Sequence, residues 1–220
     1  MCEVIVLFNG YSKQLNETTM DSNCTCTLIK GPKLIIVDTM TAWDREKILD
    51  ALAQHNISPI DIDYVVCTHG HSDHIGNNNL FTNAEHIVGY CVHRGTMFFD
   101  KNIINEDYEL CPGVKIVYTP GHTGEDVTVL VETMKNGEKI CFAITGDLFE
   151  KEEDILSPHI WKSMGTSEFL KTQYRMRKHI INLADYIIPG HGPMFQVTDY
   201  MRKIIDTQKS SLLQDLSNKT

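Results

Sequence analysis

The apolar run Tyr64-Val65-Val66-Cys67 leads directly into Thr68-His69-Gly70-His71-Ser72-Asp73-His74. Three imidazoles and a carboxylate in so short a stretch cannot be separated in space, so the fold must accommodate them together. A strand ending at Cys67 throws His69 and His71 toward the same side, two residues apart. Asp73 and His74 fall where the chain is expected to turn into a helix near Ile75. Four ligands at this spacing can hold two cations. Imidazole nitrogens with carboxylate oxygens suit zinc, with iron or manganese as competitors.

The same local pattern returns three times. Val117-Tyr118-Thr119-Pro120-Gly121-His122 and Tyr186-Ile187-Ile188-Pro189-Gly190-His191 each end an apolar run in a tight turn that carries an imidazole. Proline fixes the backbone entering such a turn, and glycine is expected to supply the unusual angles that aim the next side chain. Between them, Ile140-Cys141-Phe142-Ala143-Ile144-Thr145-Gly146-Asp147 ends in a carboxylate. Taken singly, Ser72 or Asp73 could cap a helix, and Asp147 or His122 could be an ordinary turn residue. Five histidines and two aspartates at strand ends argue for a metal site instead. His55, His86, His93, His159 and His179 lack that context and read as surface or core residues.

The runs at residues 3–8, 25–30 and 33–38 read as opening strands, with Gly31-Pro32 turning between the last two. Residues 43–55 show helical spacing, with Thr41 as the expected cap. Strands follow at 63–67 and 86–90, then at 114–118, 126–132, 139–145 and 185–188, with helices at 167–182 and near 202–216. Two sheets inside and helices outside is the economical packing. Residues 92–112 and 149–165 lack periodicity and are expected to wall a cleft, with Phe98, Phe99 and Trp161 as stacking candidates or, more simply, loop anchors. His93 and His159, in the same stretches, are candidates to protonate a leaving group.

The chain of 220 residues, 42% of them hydrophobic, is expected to form one domain over residues 1–220. Seven cysteines, an odd number without a Cys-x-x-Cys pair, read as reduced thiols. The apolar Val4–Phe8 run is too short for a signal peptide, and no stretch approaches a membrane span. A cytoplasmic protein is expected, with a nuclear location allowed and secretion excluded. The sequons at Asn16, Asn23 and Asn218 then read as chance matches.

His69, His71, Asp73 and His74, followed in order by His122, Asp147 and His191, resemble the His-x-His-x-Asp-His signature and later ligands of the metallo-β-lactamase fold superfamily. The resemblance covers essentially the whole chain. The connecting text THGHSDHIGNNNLF, YTPGHTGEDVTVLV, GDLFE and IIPGHGPMF looks, more narrowly, like the metallo-β-lactamase domain-containing protein 1 group. The resemblance implies an α+β fold, a four-layer αβ/βα sandwich of two mixed β-sheets flanked by helices, with metals at one edge. It implies two Zn2+ per chain: one on His69, His71 and His122, the other on Asp73, His74 and His191, with Asp147 bridging. Asp73 would also orient the attacking water or take its proton, and Asp38 would fix the tautomer of a ligand imidazole, although a plain turn aspartate is the alternative. β-Lactamases of the best-known class carry cysteine where Asp147 stands, so the superfamily name does not specify the activity.

Three activities remain open. The narrower resemblance implies an endoribonuclease of the kind acting at the 3′ end of histone pre-mRNA, with single-stranded RNA as partner. The others are a small-molecule ester or thioester hydrolase of the glyoxalase II type and a mononuclear iron persulfide dioxygenase. A homodimer is allowed. The large cap domain of RNA-processing relatives and the added helical domain of glyoxalase II find no room in the chain. A formal net charge of −9 disfavours broad phosphate binding. Lys171, Arg175, Arg177 and Lys178 form one basic cluster on an expected helix, either an RNA track or a solvated face.

Overall fold

The computed structural model describes residues 1–165 and 167–217. The chain opens with β1 (Glu3–Phe8), a hairpin of β2 (Tyr11–Asn16) and β3 (Thr19–Asn23), β4 (Cys26–Lys30), β5 (Leu34–Val37) and α1 (Arg45–Gln54). β6 (Tyr64–Cys67), β7 (Glu85–Val88), β8 (Cys91–Arg94) and β9 (Met97–Phe99) complete the first half. The second half contains β10 (Tyr108–Cys111), β11 (Val114–Tyr118), β12 (Val127–Lys135), β13 (Glu138–Gly146), α2 (His159–Met164), α3 (Leu170–Leu183), β14 (Tyr186–Pro189), β15 (Phe195–Gln196) and α4 (Asp199–Ser217).

The strands form a seven-stranded sheet, in the order β1-β4-β5-β6-β7-β8-β9, and a six-stranded sheet running β10 to β15 in sequence order. Both are mixed: β5–β6, β6–β7 and β13–β14 pair parallel, and the other pairs are antiparallel. Strand alternation assigns the layers. Ile35, Val37 and Val66 face Val129, Val131, Ile144 and Ile188 across the interior, whereas Ile36, Val65 and Cys67 point outward onto Ile48 and Leu52 of α1. On the other side, Leu130, Ala143 and Ile187 pack on Leu170, Tyr174 and Ile181 of α3 and on Ile205 of α4. Central strands buried on both faces explain why the apolar runs are nearly continuous. The expected four-layer sandwich is present. Among the described residues, no helix is long and apolar enough to cross a membrane.

Several local expectations fail for identifiable reasons. No α-helix follows His74; the segment turns repeatedly and forms only a 3-10 turn at Asn78–Leu80. Gly76 and three consecutive asparagines are poor helix formers, and the loop is bonded instead to the neighbouring one. Asn77 Nδ2 donates to the carbonyls of Thr39 and Thr41, both at 2.7 Å. Thr41 does not cap α1, which begins after Asp44; its hydroxyl donates to the Asp44 carboxylate. Residues 92–112 hold edge strands of the two sheets rather than a cleft wall. There Phe98 is exposed, Phe99 packs on the core and His93 stacks on Phe98. Trp161 is fully buried, which removes it as a stacking surface.

The basic cluster also divides. Leu170, Tyr174, Arg177 and Ile181 form the buried stripe of α3, whereas Lys171, Arg175 and Lys178 lie on the adjacent exposed stripe. Arg177 is therefore not an RNA contact. Its guanidinium donates to Asp154 and to the Leu148 carbonyl at 2.7 Å, and lies 4.1 Å from the Phe149 ring centroid. Lys178 pairs with Asp206 of α4 at 2.7 Å. Removing one partner of a buried ion pair leaves an uncompensated charge. Arg177→Ala is expected to lower the unfolding free energy by about 3–5 kcal/mol, and Arg175→Ala to change it by less than about 0.5 kcal/mol. Urea titration of both variants checks the contrast.

Candidate metal centre

The site lies where strands end. β5 runs into Asp38, β6 into the His69–His74 loop, β11 into the turn with His122, β13 into Asp147, and β14 into His191. All seven residues expected as ligands converge there. His69 Nε2 is 2.9 Å from His71 Nδ1, which is 3.1 Å from His122 Nε2. The Asp147 Oδ2 atom lies 3.6 Å from His69 Nε2 and 3.4 Å from His122 Nε2. Beside this group, Asp73 Oδ2 is 3.9 Å from His74 Nε2 and 3.8 Å from His191 Nε2. Asp147 reaches this second set as well, through Oδ1 to His74 at 3.3 Å and Oδ2 to His191 at 3.2 Å.

The outer nitrogens settle which ring atoms face inward. His191 Nδ1 is 3.0 Å from the Asn23 carbonyl, which can only accept, so Nδ1 carries a hydrogen and the inward Nε2 is the nitrogen that takes either a proton or a cation. His74 Nδ1 faces Asp38 Oδ2 at 3.0 Å, with the same result. Asp38 itself is held by the Thr68 amide, which donates to it at 2.8 Å. Buried His74 Nε2 and Asp147 Oδ1 have no hydrogen-bond partner although they face each other. Such a facing pair is tolerated in a dry site only with a proton or a metal cation between the two atoms. Nitrogens around a tetrahedral zinc lie about 3.3 Å apart, close to the spacings among His69, His71 and His122. The donor set fits a divalent metal, and each set of donors lies within 4.8 Å.

The electrostatics follow from burial and crowding. Burial pushes His69 well below the ordinary imidazole value, and His122 below it. Burial also opposes charging of His74, but Asp147 and Asp38 outweigh it and hold the ring well above its usual value. For His191 burial again opposes, and Asp147 carries the value up to about 9. Burial opposes ionisation of Asp147, yet His74, His191 and His69 hold the carboxyl well below its usual range.

Two acidic residues escaped sequence reading. Asp126 clamps the His122 turn, accepting from the Gly121 amide at 3.0 Å, the Thr123 amide at 2.7 Å and the Thr123 hydroxyl at 2.5 Å. Burial pushes its carboxyl up to about 7. Glu150, three residues beyond Asp147, is buried beside His122. A carboxylate close in sequence to each ligand was the available signal. The glycines of the two Pro-Gly-His turns act differently from expectation. Neither adopts a left-handed backbone; they permit close approach, Gly121 to the α3 backbone at Gln173 and Gly190 to Asp147.

The centre opens into a cleft of about 340 Å³ bordered by Met20 and Ser22 of β3, Thr41, Ser72 and Met164 of α2. Among the described residues no lysine or arginine lines it, and neither do His93 and His159.

A family model described as the metallo-beta-lactamase superfamily matches residues 19–110. The metallo-beta-lactamase domain-containing protein 1 of Xenopus laevis is 40% identical over 197 residues, covering 88% of this chain and 81% of that protein. The chain belongs to the metallo-beta-lactamase superfamily. Members of this superfamily are metal-dependent hydrolases, and the cluster of His and Asp side chains fits that chemistry. A putative metallo-beta-lactamase from Thermotoga maritima shares the fold at a TM-score of 0.61 and 21% identity, over 89% of this chain and 99% of that one. An N-acyl homoserine lactonase of Bacillus thuringiensis is 32% identical over 141 residues, 57% of this chain and 54% of that protein.

A Cβ at Gly190 would stand 1.9 Å from Asp147 Oδ1. Gly190→Ala is expected to displace that carboxylate and weaken metal binding by at least about tenfold. Chelator competition against the unsubstituted protein measures the loss.

Proposed function

We propose that the chain is a dinuclear zinc hydrolase that cleaves phosphodiester bonds of single-stranded RNA. The observation that carries the two-ion centre is Asp147, whose two oxygens lie between two complete donor sets. His69, His71 and His122 would hold one ion, Asp73, His74 and His191 the other, with Asp147 shared. Bound there, two zinc ions would supply a nucleophilic hydroxide near neutral pH and offset charge developing on the substrate.

The chain's own groups do the rest. Asp73 is less buried than Asp147, with 22% of its side chain exposed, and borders the cleft where it can orient the attacking water or accept its proton. Three observations support RNA. The cleft is open to solvent, the connecting sequence resembles the metallo-β-lactamase domain-containing protein 1 group, and Lys171 and Arg175 form an exposed stripe on the helix packed against the His122 turn. A second reading, hydrolysis of a small ester, thioester or lactone, is favoured by the two methionines on the rim and by the lack of a lining lysine or arginine among the described residues. The similarity to a lactonase points the same way.

Elemental analysis with cleavage of labelled single-stranded RNA, repeated after chelation and zinc restoration, tests the proposal. Near two zinc ions per chain and zinc-dependent cleavage are expected. Asp147→Asn should reduce cleavage more than about 100-fold. Zinc-dependent lactone or thioester hydrolysis without RNA cleavage would move the assignment to the second reading, and one iron per chain would replace hydrolysis with oxygen chemistry. For the stripe, Lys171→Glu with Arg175→Glu should weaken RNA binding and make it less sensitive to salt. The slope should flatten by about 0.7 log units of affinity per log unit of salt for each phosphate the variant no longer neutralises. An unchanged slope would leave the stripe merely solvated.

A further inference from the structure

We infer that Glu150 is a positioning residue for the metal centre, accepting the outer N–H of His122 so that His122 Nε2 is presented to the ion. The inference rests on the proposed metal reading. Glu150 is 1% exposed, and neither carboxylate oxygen has a hydrogen-bond partner. Its Oε1 lies 3.6 Å from His122 Nδ1, which also lacks a partner. A buried acceptor and a buried donor, each otherwise orphaned and facing each other, explain one another.

The arrangement completes a pattern within the site. His74 turns its outer nitrogen to Asp38, and His191 turns its own to the Asn23 carbonyl. His122 turns its outer nitrogen to Glu150. A carboxylate behind a ligand imidazole fixes ring orientation and raises the basicity of the inner nitrogen. The gap is slightly longer than a hydrogen bond, and a small rotation of either side chain closes it.

The backbone around Glu150 is built to hold it. Its amide donates to Asp154 Oδ2 at 2.8 Å, and its carbonyl accepts from the His191 amide at 2.8 Å. Asp154 is in turn gripped by Arg177. A rigid chain therefore runs from the core of α3 through Asp154 and Glu150 to His122.

A carboxylate kept only for packing predicts a different result from one kept for the ion. Glu150→Leu removes a buried group that has no partner besides His122. The metal-stripped variant should melt no lower than the metal-stripped parent, while zinc affinity in chelator competition falls about 10–100-fold. Glu150→Gln keeps an acceptor without the charge and should lose less than about tenfold. Zinc affinity unchanged in Glu150→Leu would overturn the inference, as would a lowered melting temperature with affinity intact. Loss of one whole ion in both variants would overturn it in favour of direct ligation, because donors of Asp147, Glu150 and His191 also lie within 4.8 Å. A parent protein that binds no zinc would instead sink the metal reading on which the inference rests.

Discussion

Asp147 is a carboxylate, 4% exposed, within 3.6 Å of four imidazole nitrogens from three segments of the chain. Those nitrogens and Asp147 itself stand at the ends of strands from both sheets, so the two halves of the sandwich meet chemically at this residue. The arrangement concentrates opposed lone pairs and buried charge where neither is tolerated alone. It is stable if cations occupy the centre, and metal binding is then coupled to folding. The scaffold is consistent with that demand: apolar strands buried on both faces deliver each donor from a rigid end, while the polar burden is confined to one edge.

The donors are held by a ring of groups outside the two donor sets. Asp38 links His74 to the amide that begins the His69 loop. Asp126 gathers three hydrogen bonds into the turn of His122. The β2–β3 hairpin supports His191 through the Asn23 carbonyl and the Ser22 hydroxyl, and places Met20 on the cleft rim. That hairpin therefore links substrate-facing surface to ligand geometry. Precision at the centre comes from these neighbours, which lock orientation and tautomer.

The seven converging histidines and aspartates were legible in the sequence because each follows an apolar run within a few residues, and local spacing survives folding unchanged. The layers were legible for the same reason. Arg177 was misread because a charged residue among other charged residues looks solvated; only the stripe Leu170, Tyr174, Arg177, Ile181 places it inward, and its partner Asp154 lies on a distant segment. Residues 92–112 looked structureless because β8 and β9, the last two strands on one side of the first sheet, are too short for their alternation to register. Asp126 and Glu150 stood close in sequence to His122 and Asp147, but which groups they face is set by tertiary geometry, so proximity marked them without giving their roles. Gly121 and Gly190 were recognised as necessary, but for backbone angle instead of close approach.

Anomalous diffraction at the zinc and iron absorption edges, on crystals of the protein as purified, tests the two-ion centre most directly. Two zinc peaks about 3.5–4 Å apart are expected, one against His69, His71 and His122, the other against Asp73, His74 and His191, with Asp147 touching both. A single peak at the iron edge, or an ion that leaves Asp147 uncoordinated, would contradict a dinuclear zinc centre.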